Sequence, residues 1–221
     1  MAGHVGSGRL RASEIAALLG GSAALAGSWV VVAASGAVPE WEADAFELVN
    51  GLPDVLWPVV WVPMQLGSIG GSLVVVALTA LVSRNVRLTV AALAAEQATF
   101  WGAKVVKRLV ERGRPSSLLA DVDTRENLRG LGYLSGHAAI AAALATVLIP
   151  SLPRRWQWVA VAAACVVALG RLYSGAHLPL DVIGGAGFGV VCGILARRAL
   201  GLGGDDEDPL HRPFAQPATA R

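Results

Sequence analysis

Side chains that bind anions or move protons gather in three short clusters: Lys107 to Pro115 (KRLVERGRP), Ser135 to His137 (SGH) and Arg171 to Asp181 (RLYSGAHLPLD). Lys107 and Arg114 stand seven residues apart, so a helix running through both would carry the two cations on nearly one stripe. Two such cations suit a phosphate, the arginine as a rigid fork and the lysine as a point charge. Ser135 reads as the N-cap of a helix, and Gly136 allows a ligand to approach the backbone. The free amides of that first turn then make an anion site, with His137 beside it to give or take a proton near neutral pH. His177 and Asp181 are four residues apart, close enough for the carboxylate to accept a hydrogen bond from one imidazole nitrogen and leave the other as a nucleophile. Arg171 ends the helix before them, and Pro179 suits the first turn of the helix after. Taken singly, the clusters also read as snorkelling cations, an ordinary capped helix and a structural His-Asp pair. Taken together they read as one phosphate-handling site.

The elements that must position these groups are apolar. Of 221 residues 54% are hydrophobic and 15% charged, and the apolar runs are longer than a soluble core helix needs, which argues for an integral membrane protein of one domain. A net charge of +2 gives no basis for a nucleic-acid partner. Cys165 and Cys192 fall inside apolar runs without metal-ligand spacing and read as small buried hydrophobes.

Residues 15–34 are long enough to cross about 30 Å of hydrocarbon as a helix. The rival reading is a cleaved signal peptide with Arg9 and Arg11 as its basic region, against which the length of the apolar run argues. Residues 38–64 mix acids with Trp41, Trp57 and Trp61 and with Pro53, Pro58 and Pro63, and are expected to lie as short interfacial pieces. Further crossings are expected over 66–82, from 88 to the Arg114-Pro115 step, and over 136–152, 156–173 and 180–196. Gly67, Gly70 and Gly71 would allow close helix approach. The result is an all-α bundle of six transmembrane helices over residues 1–200, with a disordered tail over 201–221. Glu96, in the middle of the third crossing, is an intramembrane acid best explained by a hydrogen bond to a neighbouring helix.

Arg9/Arg11, Arg84/Arg87, Arg154/Arg155 and Arg197/Arg198 fall at alternate helix ends, the positive-inside pattern with both termini cytoplasmic. The three clusters then face the extracytoplasmic side. Arg108, Arg112, Arg114 and Arg171 break the charge rule there, as cations that bind a ligand would.

The spacing K-x6-R-P, then S-G-H, then R-x5-H-x3-D resembles the three-part signature of the type 2 phosphatidic acid phosphatase superfamily, which includes bacterial lipid phosphatases, glucose-6-phosphatase and vanadium haloperoxidases. The helix pattern over residues 10–198 is similar to its membrane branch. The resemblance implies that Lys107, Arg114 and Arg171, with Ser135 and the Gly136 amide, hold the phosphoryl oxygens. It implies that His177, oriented by Asp181, attacks phosphorus to form a phosphohistidine, while His137 protonates the leaving oxygen and then activates water. It implies no metal or other cofactor. Two positions depart from the family pattern. Leu134 replaces a proline, and Gly170 replaces a serine whose hydroxyl would give the phosphate one more hydrogen bond.

A site at the outer end of a bundle favours a lipid phosphate as substrate, in a bacterial plasma membrane. Candidates are a polyprenyl diphosphate, phosphatidic acid, phosphatidylglycerol phosphate and a prenyl-linked sugar phosphate. The alternatives are a phosphotransferase with the same intermediate, a vanadium haloperoxidase, and a non-catalytic module that binds or transports a lipid phosphate.

Overall fold

The computed structural model describes residues 10–203. Arg9 and the expected disordered tail from residue 204 onward lie outside the described residues. Every regular element among the described residues is helical. In chain order these are α1 (Ala12–Ala34), α2 (Glu40–Asn50), α3 (Trp57–Met64), α4 (Ile69–Ser83), α5 (Val86–Val110), α6 (Pro115–Leu118), α7 (Gly136–Leu148), α8 (Arg154–Tyr173) and α9 (Pro179–Ala199).

Local chemistry sets the ends. Ser68 caps α4 by accepting the Gly71 N–H at 3.1 Å, and Asn85 caps α5 by accepting that of Leu88 at 3.0 Å. Three helices, α1, α8 and α9, are long and apolar enough to cross a membrane by themselves. The crossing expected over 66–82 is instead broken. A stretch over 54–67 meets α4 at 64°, because Ser68 takes extended backbone at the cap. Residues 54–64 thus belong to this bent pair, and only α2 stands apart from it. Helix α5 has the length to cross, at 25 residues, but carries Arg87, Glu96, Lys104, Lys107 and Arg108. It ends earlier than expected, at Val110, where Glu111 turns left-handed with φ 51°. Lys107 and Arg114 therefore do not share a helical stripe; Arg114 is the residue before α6.

Helix α9 lies at the centre. Gly185, Gly189 and Gly193 recur every four residues, and a Cβ there would come within 2.4 Å of the Ser135 oxygen, 2.1 Å of the Ala139 oxygen and 2.9 Å of the Ala143 oxygen. The backbones of α7 and α9 are in contact along this stripe, as small residues permit between apolar helices. On the neighbouring face Gly187 meets Gly21 of α1 in the same way. Gly189→Leu is expected to break the α7–α9 contact. Overpacking costs about 1–3 kcal/mol where side chains can shift and more where the obstacle is backbone. A thermal unfolding midpoint in detergent equal to that of the wild type would contradict this packing.

The outer surface is apolar: Leu81, Val86 and Trp158 are 72%, 76% and 66% exposed. Surface of that kind is covered by lipid in a stable protein. Cys165 is exposed on this surface and Cys192 is half-buried, so the expectation of two buried cysteines fails: apolar residues of a bundle in lipid also face outward. Glu96 is fully buried and accepts hydrogen bonds from Ser72 of α4 at 3.3 Å and from Gln97 at 2.7 Å.

Candidate active site

The three clusters meet at one end of the bundle. Lys107, in the last turn of α5, donates from Nζ to the carbonyls of Leu131 and Gly132, both at 2.9 Å. Arg114 donates from Nη1 to the Ala176 carbonyl at 2.8 Å and from Nη2 to that of Arg129 at 2.9 Å. Neither cation is neutralised by a carboxylate in these contacts. Arg171, buried near the end of α8, donates from Nη1 to Glu126 at 2.8 Å, while its Nε is buried without a partner.

Ser135 caps α7. Its Oγ accepts the Ala138 N–H at 3.4 Å, and its own N–H donates to the Asp181 carbonyl at 2.9 Å, which ties the start of α7 to the start of α9. Gly136 has open space on its side-chain face, with no heavy atom within 4 Å of a Cβ built there. His137 follows, half-buried and within electrostatic reach of Arg171, His177, Arg114 and Lys107.

His177 sits in the turn between α8 and α9, a turn that Gly175 makes possible with φ +74°. Its Nδ1 lies 3.6 Å from Asp181 Oδ2, longer than a hydrogen bond, and is buried without a partner. Burial first, then the positive charges of Lys107, Arg171 and Arg114, hold this imidazole well below its ordinary value of 6.5, with the Gly132 carbonyl opposing in part. His177 is therefore neutral, with a lone pair to offer.

This has a consequence for stability. The unfolded chain takes up a proton at His177 below about pH 6.5, and the folded protein does not. The contribution is thus complete above that pH and lost as the pH falls toward the folded value. The unfolding midpoint is expected to drop more steeply between about pH 7 and about pH 5 in the wild type than in His177→Gln; equal slopes would refute it.

Gly170 lies against α3. A Cβ there would lie 3.1 Å from Val60 and 3.2 Å from the Met64 sulfur, so its small size serves the packing of α3 on α8. Leu134 is fully buried in a cluster with Ala103, Tyr133 and Ala139.

Glu42 and Glu126 are absent from the sequence expectation, and Arg112, expected there as a ligand-binding cation, is instead held in ion pairs. Arg112 links the fully buried Glu42 of α2 to Asp181, at 2.6 and 2.8 Å. Glu126 pairs with Arg171 from the loop over 119–135. The signal for Glu42 was present, since Glu42, Phe46 and Asn50 recur every four residues, the mark of a helix with one buried face.

Residues 85–202, more than half of the chain, match the family model of the PAP2 superfamily. Among curated proteins, an undecaprenyl-diphosphatase of Sulfolobus acidocaldarius is 43% identical over 54 residues, 24% of this chain. The chain spans only 26% of that relative's length. The crystal structure of Aquifex aeolicus LpxE aligns with a TM-score of 0.65 and 25% identity, over 70% of this chain and 93% of that one. A transmembrane PAP2 type phosphatidylglycerolphosphate phosphatase of Bacillus subtilis has the same fold, with a TM-score of 0.65 at 20% identity over 80% of this chain and 94% of that one. Because the family match takes in all three polar clusters and covers more than half of the chain, the chain belongs to the PAP2 superfamily, and its long apolar helices make it a membrane member.

Proposed function

We propose that the protein is a lipid phosphatase that removes phosphate from a phosphomonoester or diphosphate headgroup through a phosphohistidine at His177. The observation that carries this reading is a histidine kept neutral by burial within reach of three cations, with a carboxylate 3.6 Å behind its Nδ1. Closing that gap by about 0.6 Å makes a hydrogen bond, places the proton on Nδ1 and leaves the Nε2 lone pair for phosphorus. Lys107, Arg114, the unpartnered Arg171 Nε and the first amides of α7 bind the phosphoryl oxygens and offset their charge in the transition state. The Nε2–P bond forms as the bond from phosphorus to the leaving oxygen breaks, the ester oxygen of a monoester or the bridging oxygen of a diphosphate, and His137 protonates that oxygen where it departs as an alkoxide. His137 then takes a proton from water, whose oxygen displaces Nε2 and releases inorganic phosphate. This scheme assigns no step to a metal.

The matched segment of an undecaprenyl-diphosphatase supports a polyprenyl diphosphate as the first candidate substrate. The reading includes six crossings of a bacterial plasma membrane, with the termini cytoplasmic and the site facing outward. Its support is that Arg84, Arg87, Arg154, Arg155 and Arg198 lie at the helix ends opposite the three clusters.

The test is phosphate release by the purified protein in detergent with EDTA, from undecaprenyl diphosphate, phosphatidic acid and phosphatidylglycerol phosphate. The expected result is release that survives the chelator, with an acid-labile, alkali-stable phosphoenzyme trapped on quenching. Label that appears only in an added lipid or sugar acceptor would make the protein a phosphotransferase. No release and no label would leave a binding module.

A further inference from the structure

Glu42 is a fully buried carboxylate that the mechanism above leaves without a part, and it lies outside the residues 85–202 matched by the family model. Helix α2 brings it to the site. Phe46, one turn on, packs with Leu172, Leu178 and Val182, and Asn50 donates to the carbonyls of Asp123 and Tyr173 at 2.9 and 3.1 Å. The helix is thus held along its length against the turn that carries His177.

Arg112 lies between two carboxylates. It meets Glu42 as a fork, Nη1 to Oε1 at 3.0 Å and Nη2 to Oε2 at 2.6 Å, and gives Asp181 only a single bond from Nη1 at 2.8 Å. The three side chains are 8%, 0% and 0% exposed. Glu42 also accepts the Leu180 N–H and Asp181 the Leu178 N–H, both at 2.9 Å, so both acids are tied to the start of α9. A guanidinium facing Asp181 alone would neutralise it. Shared with Glu42, it leaves the trio with one net negative charge.

We infer that Glu42 is a positioning residue for the reaction: by holding the Arg112 fork on its own carboxylate, it leaves Asp181 enough negative charge to take the His177 Nδ1 hydrogen bond. That charge also stabilises the positive imidazole that forms as nitrogen bonds to phosphorus. This role rests on His177 being the nucleophile, as proposed above. Glu42 touches no substrate, so its removal acts on kcat and leaves KM in place.

The test uses the purified full chain in detergent, with undecaprenyl diphosphate, phosphatidic acid and phosphatidylglycerol phosphate as probes. A charge-assisted hydrogen bond converts to about a 10- to 100-fold loss of kcat in Glu42→Gln, with KM within about twofold of the wild type. The loss is expected to vanish in an Asp181→Asn background. It is expected to be partly restored in Glu42→Gln/Arg112→Gln, which removes the unshared guanidinium and returns the group to one net negative charge. Should Glu42→Gln alone fail to fold, that double variant carries the test: a kcat well above that of Asp181→Asn is expected, and one as low would overturn the role. Wild-type kcat in Glu42→Gln, a loss confined to KM, an equal loss on top of Asp181→Asn, or a deeper loss in the double variant would each overturn it too. If the wild type releases phosphate from none of undecaprenyl diphosphate, phosphatidic acid and phosphatidylglycerol phosphate, the phosphatase reading fails and takes this inference with it. Wild-type release with an indifferent Glu42→Gln removes the inference alone.

Discussion

His177→Ala is expected to abolish phosphate release, a loss of about 10^4-fold or more for removal of a nucleophile. His137→Ala is expected to divide the reaction in two. With a diphosphate, the leaving group is a lipid phosphate that departs without needing a proton, so attack by His177 proceeds and the phosphohistidine forms. Its hydrolysis then lacks the base that activates water, and steady-state release falls by about 10^2- to 10^4-fold. With a monoester the leaving alkoxide needs its proton, and formation of the intermediate slows as well. Label from the terminal phosphate of a diphosphate should therefore accumulate on His137→Ala and be absent from His177→Ala. Label trapped on His177→Ala would move the nucleophile elsewhere. Unchanged release by His137→Ala would remove it from the acid and base roles.

Much of this site was legible because its groups lie in short local patterns. Ser135 and Gly136 open a helix by rules that act within four residues, and the Gly175 turn places His177 next to the start of α9. The end of α5 was not legible, because Glu111 adopts a left-handed backbone with no glycine there to announce it. Arg112 stood in the first cluster but was taken as one more cation for a ligand. Its pairing with Glu42 and Asp181 spans separations of 70 and 69 residues, and no periodicity reports a contact of that kind. The bend at Ser68 also escaped, since composition over 66–82 satisfies the length rule whether the helix is straight or broken. At Gly170 the nearest side chains are Val60 and Met64 of α3, a packing contact between distant parts of the chain that local sequence does not announce.

Gly132→Ala is expected to lower kcat/KM by about 100-fold, the usual cost of misplacing reacting groups by about an ångström. Gly132 lies where the loop over 119–135 passes between the first cluster and Asp181. Its N–H donates to the Arg112 carbonyl at 2.7 Å, and its carbonyl accepts from Lys107 Nζ at 2.9 Å. A Cβ on it would fall 2.3 Å from the Gly113 oxygen and 3.3 Å from Asp181 Oδ2. The nearer obstacle is backbone on a segment tied down by the Arg112 ion pairs, so the loop itself must move. That carries the acceptor of Lys107 away and turns the lysine out of register with Arg114 and Arg171. Since Lys107 binds phosphate in this scheme, KM should rise along with the fall in kcat, which separates the variant from Glu42→Gln. The clash lies between two non-helical segments, so the helical circular dichroism should match the wild type. A Gly132→Ala protein with wild-type kcat/KM would mean that the loop yields without disturbing Lys107, and that the contact with Gly113 holds nothing the reaction needs.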